Sequence, residues 1–383
     1  MMFISAVGML SALGATSDDI ADNLVRGVAP GMRADSGWLI GDKPCWTGRV
    51  DAVLPAVPAR LAAHNSRNNQ LLLAALAQIE TEVQSAIARF GADRVAVVLG
   101  TSTSGLDEGD RFISGDRGNY HYFQQELGDP ARFLADYLQL SGPAYTLSTA
   151  CSSSARALIS GQRLIDAGLA DVALVGGADT LSRMPLNGFD SLESLSAQRC
   201  APFSHQRDGI TIGEGAALML LTREPQPVAI LGYGESSDAW HMSAPHPEGN
   251  GARRAITMAL QQAGLAPEQV GYINLHGTAT RLNDQIEAGV VSALFGDRVP
   301  CSSTKHLTGH TLGAAGIVEA ALCWLILTRH LSLPPQDFSA STPDSSLPDC
   351  GLLTVPVPLE RPVIMSNSFA FGGNNACLIL GTL

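Results

Sequence analysis

Apolar residues along the chain gather in short runs rich in β-branched side chains, at 3–7, 94–99, 144–148, 171–175 and 216–221. Runs of this length and composition predict strands buried on both faces. Between them, residues 71–90 and 153–167 carry apolar positions at helical spacing. Strand and helix therefore alternate, which predicts a layered α/β fold with helices covering both faces of a sheet. At 223–228 the stretch Arg-Glu-Pro-Gln-Pro-Val interrupts the pattern, because two prolines so close cannot continue a helix or a central strand. A domain junction is expected there, dividing the chain into residues 1–224 and 225–383. Beyond it, strands are predicted at 228–233, 272–275, 363–366 and 377–380, with helices at 251–263 and 314–329.

The two parts read as repeats of one plan. Residues 145–167 run from strand through a reactive-looking turn around Cys151 into a helix, and residues 301–327 repeat that order around Lys305 and His310. Both turns would then face a shared centre. Residues 30–67, with their glycines, prolines and two tryptophans, read as surface loop rather than core.

Composition narrows the possibilities. A chain of 383 residues with 45% hydrophobic and 16% charged residues can enclose an extensive core and a buried site. Its formal net charge of −12 argues against nucleic acid as a partner, since phosphate contacts need a positive surface. The longest apolar runs are too short to predict a membrane span. The uncharged start at 1–17 lacks a basic leader and reads as a first strand and loop rather than an export signal. Seven cysteines without a Cys-x-x-Cys pair argue against a disulfide frame and a zinc site, and fit a reducing cytoplasm.

Four segments could carry chemistry. Cys151 stands where a strand ends and a helix of small residues begins, in Ser-Thr-Ala-Cys-Ser-Ser-Ser. A thiol at a helix N-terminus is predicted to have a lowered pKa and to act as a nucleophile, although buried cysteines are also common packing residues. His276 follows an apolar strand in Asn-Leu-His-Gly-Thr-Ala-Thr, a position where α/β folds place reactive groups. The third segment, Ser-Ser-Thr-Lys-His-Leu-Thr-Gly-His, holds Lys305, His306 and His310. His306 and His310 are spaced like ligands on one helix face, but Gly309 between them weakens a helix. Lysine occurs only at 43 and 305 among 24 basic residues, which marks Lys305 as a position wanting a compact ammonium, with Glu319 on the following helix as its counter-charge. The fourth segment, Ser-Asn-Ser-Phe-Ala-Phe-Gly-Gly at 366–373, offers close backbone approach and free N–H groups for an oxyanion, or simply a turn between strands.

In this order the four segments resemble the β-ketoacyl-[acyl-carrier-protein] synthase family of the thiolase superfamily. Gly8-Met9-Leu10-Ser11, Arg207-Asp208-Gly209 and Asp238-Ala239-Trp240-His241-Met242 extend the likeness, which covers about residues 1–28 and 94–383. The resemblance implies a duplicated five-layer αβαβα fold and a Cys-His-His site of the elongating type. Cys151 would carry the acyl chain, while His276 and His310 would serve decarboxylative Claisen condensation of a malonyl thioester. It further implies that Lys305 and Glu319 form a supporting ion pair and that Thr278, Thr280 and Phe369 bind substrate. Asp284 and Glu287 would stand behind the site, and Phe371 would gate it. Substrates would ride on the phosphopantetheine arm of an acyl carrier protein, with no separate cofactor and no metal. The partner would be a second copy in a homodimer, or a related ketosynthase or chain-length-factor subunit in a heterodimer. Ala370 stands where the family often has glycine, Ser204 where it has aspartate, and Cys-Ser-Ser-Ser is the form common in polyketide synthases. Polyketide or polyene chains are therefore expected alongside fatty acids. A chain-length-factor-like subunit and a non-decarboxylating thiolase are the competing readings; the first usually lacks the cysteine, and the second needs another catalytic cysteine.

Overall fold

The computed structural model describes residues 1–116, 118 and 120–382. Ten strands form its main sheet. In chain order they are β1 (Met2–Leu10), β2 (Val95–Gly100), β3 (Ala144–Leu147), β4 (Val172–Asp179) and β5 (Gly215–Thr222). They continue with β6 (Val228–Ser237), β7 (Tyr272–Asn274), β8 (Cys301–Ser302), β9 (Val363–Phe369) and β10 (Asn374–Thr382). The strands lie in the order β8-β7-β9-β10-β6-β1-β5-β4-β2-β3.

That order repeats about its middle. From the central pair β1 and β6 outward, the first and second sets each run first, fifth, fourth, second and third strand. Three antiparallel pairs, Met2 to Ile230 through Ile4 to Val228, join the sets. A duplicated thiolase-like fold follows from this topology. Strands such as Val95–Gly100 and Gly215–Thr222 are buried at every position, as unbroken apolar runs require.

Two helices fill the layer between the sets: α1 (Ser153–Asp166) and α2 (Ala315–Arg329). They touch each other as well as strands of both sets. A Cβ on Gly316 would come within 2.7 Å of the Ala155 Cβ, so only a glycine lets the helices approach this closely. A helix apolar on all sides belongs in a core. Accordingly Leu312–Arg329, the one helix among the described residues long and apolar enough to cross a membrane, is 83% buried. Arg67–Ala77 covers β1 and β5 on one outer face, and Asn250–Ala263 covers β6 and β10 on the other.

Two expectations need correction. Residues 71–90 form two helices, Arg67–Ala77 and Glu80–Phe90, bent by 80°. The break sits at Gln78, whose amide bonds both backbone groups of Met9 and so pins the chain to β1. Apolar spacing alone did not register that anchor. Residues 30–67 are more than surface loop: Cys45–Gly48 pairs with Met32–Asp35 on one side and with Ile212–Gly213 on the other in a small second sheet, with Cys45 and Thr47 buried.

Candidate active site

The turn at 149–153 is stitched by its own serines. Ser152 Oγ donates to the Thr149 carbonyl and Ser153 Oγ to that of Ala150, while the Thr149 N–H bonds Ser153 Oγ. Ser154 Oγ accepts the Ile317 N–H, tying this turn to α2. Ala150 takes a left-handed conformation, with φ of 53°. The chain thus turns sharply from β3 into α1 and leaves the Cys151 side chain in the space between the two halves.

His310 faces it from the other half, with Nε2 3.1 Å from Cys151 Sγ. Its backbone N–H donates to Thr211 and its carbonyl accepts from Gly213, so the small second sheet sets its position. His276 follows β7, its ring perpendicular to that of His310 with centroids 5.5 Å apart. The donor atoms of Cys151, His276 and His310 all lie within 4.8 Å of one another, close enough to hold a metal ion by distance alone. His306 is elsewhere. The short helix Lys305–Thr308 ends at Gly309, with φ of 68°, so the two histidines share no helix face. His306 Nδ1 instead donates to the Ser303 carbonyl, and burial pushes its pKa down to about 4.

Hydrogen bonds assign the tautomers. The Leu312 N–H donates to His310 Nδ1 at 3.0 Å, leaving the ring proton on Nε2. Lys305 Nζ lies 3.4 Å from His276 Nδ1, a contact that places that ring's proton on Nε2 as well. Burial, with the Lys305 ammonium second, holds both imidazoles well below the usual range, so they are neutral near pH 7. The site therefore holds two neutral rings with their N–H groups on the Nε2 side.

Lys305 is fully paired: Nζ also donates to the His276 carbonyl and to Glu319 Oε1, each at 2.5 Å. Glu287 accepts the N–H groups of His276 and Gly277, and Asp284 accepts those of Ala279 and Phe203. Burial pushes these carboxyls up, to about 7 for Glu287 and about 6 for Asp284. Both residues hold the loop behind His276 and stay out of the cavity.

The thiol departs from expectation. Burial pushes Cys151 up to about 11, while Lys305 and the backbone N–H groups of Phe371 and Cys151 pull it down. Burial outweighs these favourable contacts, so the site disfavours the thiolate.

Cys151 and both histidines line a cavity of about 330 Å³ with Thr278, Thr280 and Phe371. Thr278 and Thr280 share a hydroxyl hydrogen bond of 2.9 Å. Phe369 stands edge-on to His276, and Phe371 contacts Phe189 with centroids 5.4 Å apart. Sequence reasoning missed Phe189 and Asp179. Asp179, fully buried, accepts the hydroxyls of Thr101 and Thr103 and the N–H groups of Ser102 and Thr103. An aspartate closing an otherwise apolar strand was the available signal.

A thiol and two imidazole N–H donors in an enclosed cavity, on a duplicated thiolase-like fold, define a condensing acyltransferase. Residues 4–226 match the family described as beta-ketoacyl synthase, N-terminal domain, and residues 228–338 match beta-ketoacyl synthase, C-terminal domain. The chain belongs to the β-ketoacyl synthase family. It is an elongating enzyme, joining acyl units by decarboxylative Claisen condensation.

A 3-oxoacyl-[acyl-carrier-protein] synthase 2 of Synechocystis is 30% identical, over 98% of this chain and 96% of the relative. The protein of that name from Rhizobium meliloti is 38% identical, over 63% of this chain and 61% of its own length. Among solved structures, the ketosynthase ApeO of Xenorhabdus doucetiae, in complex with its chain length factor ApeC, is 66% identical with a TM-score of 0.98, covering 100% of this chain and 98% of that one. The ishigamide ketosynthase/chain length factor is 26% identical with a TM-score of 0.88, covering 100% and 99%.

Proposed function

We propose that Cys151 carries the growing chain as a thioester and that His276 and His310 drive decarboxylation of the extender unit. The observation that carries this reading is the meeting of His310 Nε2 and Cys151 Sγ at 3.1 Å, with the second imidazole beside them. In the first step the Cys151 sulfur attacks the thioester of an acyl group on the phosphopantetheine arm of a carrier protein, and its proton leaves with the departing thiol. A malonyl thioester then enters with its carbonyl oxygen against the two Nε2–H donors. As the carboxylate leaves as carbon dioxide, charge grows on that oxygen, and donors held neutral and fixed stabilise it more than they stabilise the substrate. The enolate carbon attacks the Cys151 thioester, whose oxyanion is held by the N–H groups of Cys151 and Phe371. Collapse of that oxyanion breaks the C–S bond and releases a β-ketoacyl chain two carbons longer, and the expelled Cys151 thiolate takes up one proton from solvent to restore the thiol.

Lys305 supports this chemistry by holding the His276 tautomer, and Glu319 holds Lys305. Thr278 and Thr280 bind the arm, Phe369 shapes the substrate site, and Phe371 gates it. Asp284 and Glu287 keep the His276 loop in place. The halves 1–224 and 225–383 act as two thiolase-like units contributing Cys151 on one side and His276, Lys305 and His310 on the other. No cofactor is needed beyond the arms that bring the substrates.

The chain being built is of polyketide type, and the working form is a heterodimer with a chain-length-factor subunit. The likeness to a ketosynthase solved with such a partner supports this. So does β3, which ends the main sheet with an open, partly exposed edge suited to pairing. Seven free cysteines support a cytoplasmic location. The test is intact mass spectrometry of the enzyme, with and without such a subunit, after incubation with a panel of acyl carrier proteins. An acyl adduct mapped to Cys151 and released by malonyl carrier protein is expected; condensation with no adduct there would overturn the reading.

A further inference from the structure

Cys301 and Cys350 lie far apart in the chain, yet their sulfurs are 3.8 Å apart and both side chains are buried. Cys301 opens β8, the edge strand leading into the turn that carries Lys305 and His310. Cys350 lies in the irregular segment between α2 and β9, which runs alongside that strand. The Cys301 N–H donates to the Gly351 carbonyl and the Leu353 N–H to the Cys301 carbonyl, each at 2.9 Å, so backbone bonds already hold the two thiols in register. The Cys301 thiol donates to the Cys350 carbonyl at 3.1 Å.

Access differs between the two. Cys301 is fully enclosed, whereas Cys350 lines a cavity of about 240 Å³ whose walls include the exposed Pro343, Pro348 and Asp349. A small oxidant entering there meets Cys350 first. Burial and the neighbouring Cys350 hold the Cys301 thiol well above its usual range, which makes it a poor first target for an oxidant.

We propose that Cys350 and Cys301 form an oxidant-responsive pair in which a hydroperoxide oxidises Cys350 and Cys301 resolves it as a disulfide. The Cys350 sulfur attacks the peroxide oxygen, the O–O bond breaks, and hydrogen peroxide leaves one water and a sulfenic acid. The Cys301 sulfur then attacks the oxidised sulfur, forming the S–S bond and releasing a second water. Two thiols lose two hydrogens and the peroxide takes them up. Closing the sulfurs to bonding distance, about 2 Å, needs a shift of a little under 2 Å in the irregular segment. The resulting bond would tie that segment covalently to the strand entering the Lys305 turn.

The experiment treats the full-length protein with hydrogen peroxide, blocks remaining thiols by alkylation, and maps peptides by mass spectrometry. A Cys301–Cys350 cross-linked peptide, lost on reduction with dithiothreitol, is expected. The Cys301→Ser variant should stop at the sulfenic acid and label with dimedone at Cys350. Cys151 is mapped separately, so oxidation of the reactive cavity cannot be mistaken for the pair. Both cysteines alkylated as fully in the treated protein as in the untreated one, with no dimedone adduct at Cys350 in the variant, would overturn the proposal.

Discussion

Lys305 Nζ and Glu319 Oε1 form an ion pair at 2.5 Å in which neither side chain is more than 2% exposed. Taking two charges out of water is costly, and only their pairing offsets it. Lys305→Ala leaves Glu319 charged and alone, and is expected to lower unfolding free energy by about 3–5 kcal/mol in urea titrations. The double variant Lys305→Met/Glu319→Leu should recover most of that stability. It should not recover condensation, because His276 Nδ1 still lacks its donor. Recovery of full activity would show that the pair serves packing only.

Cys151 and the two histidines serve different steps on the proposed mechanism, so their losses should separate. Cys151→Ala removes one small buried group, leaves the fold intact and abolishes condensation. Release of carbon dioxide from malonyl carrier protein should persist in that variant and fail in His310→Ala. Trapped gas from labelled malonyl carrier protein distinguishes the two.

Glu287 gives a pH dependence whose sign is fixed. Its folded-state pKa, about 7, lies above the ordinary value of 4.5, so the folded protein holds a proton that the unfolded chain has lost between those values. The stability this contributes is fully present below pH 4.5 and is lost as pH rises through 7. Across that window the loss amounts to about 3 kcal/mol. Glu287→Gln should flatten this part of the stability profile, measured by urea unfolding at several pH values. Unchanged slopes would refute the assignment.

Ala370 precedes the Phe371–Gly373 turn in an extended conformation, φ −93°, that alanine adopts without strain. Ala370→Gly should therefore cost about 0.4–1 kcal/mol through the unfolded chain. If Phe371 gates the cavity, the looser loop should also speed acylation of Cys151, read by rapid-quench mass spectrometry. A stability loss without a rate change would remove Ala370 from the gating loop's control.

The strands were legible because residues at 94–99 and 216–221 are apolar at nearly every position, and only a doubly covered sheet buries such runs. The Arg-Glu-Pro-Gln-Pro break was legible because proline cannot hydrogen-bond through its nitrogen. The bend at Gln78 was not, since it depends on bonds to Met9, distant in sequence. Residues 30–67 hid for the same reason: Cys45–Gly48 has meaning as a strand only beside Ile212–Gly213.

The residues that meet in the cavity could be chosen from the sequence because side-chain chemistry and order are local properties: Cys151 before a helix, His276 after a strand, and Lys305 as one of only two lysines in an arginine-rich chain. Their protonation could not. A helix start predicted a lowered thiol pKa, yet enclosure by both halves raises it to about 11 and keeps both imidazoles neutral. Solvation is set by what surrounds a group in space, and here those surroundings come from segments more than a hundred residues apart. Sequence determined which groups meet; tertiary structure decided what charge they carry when they do.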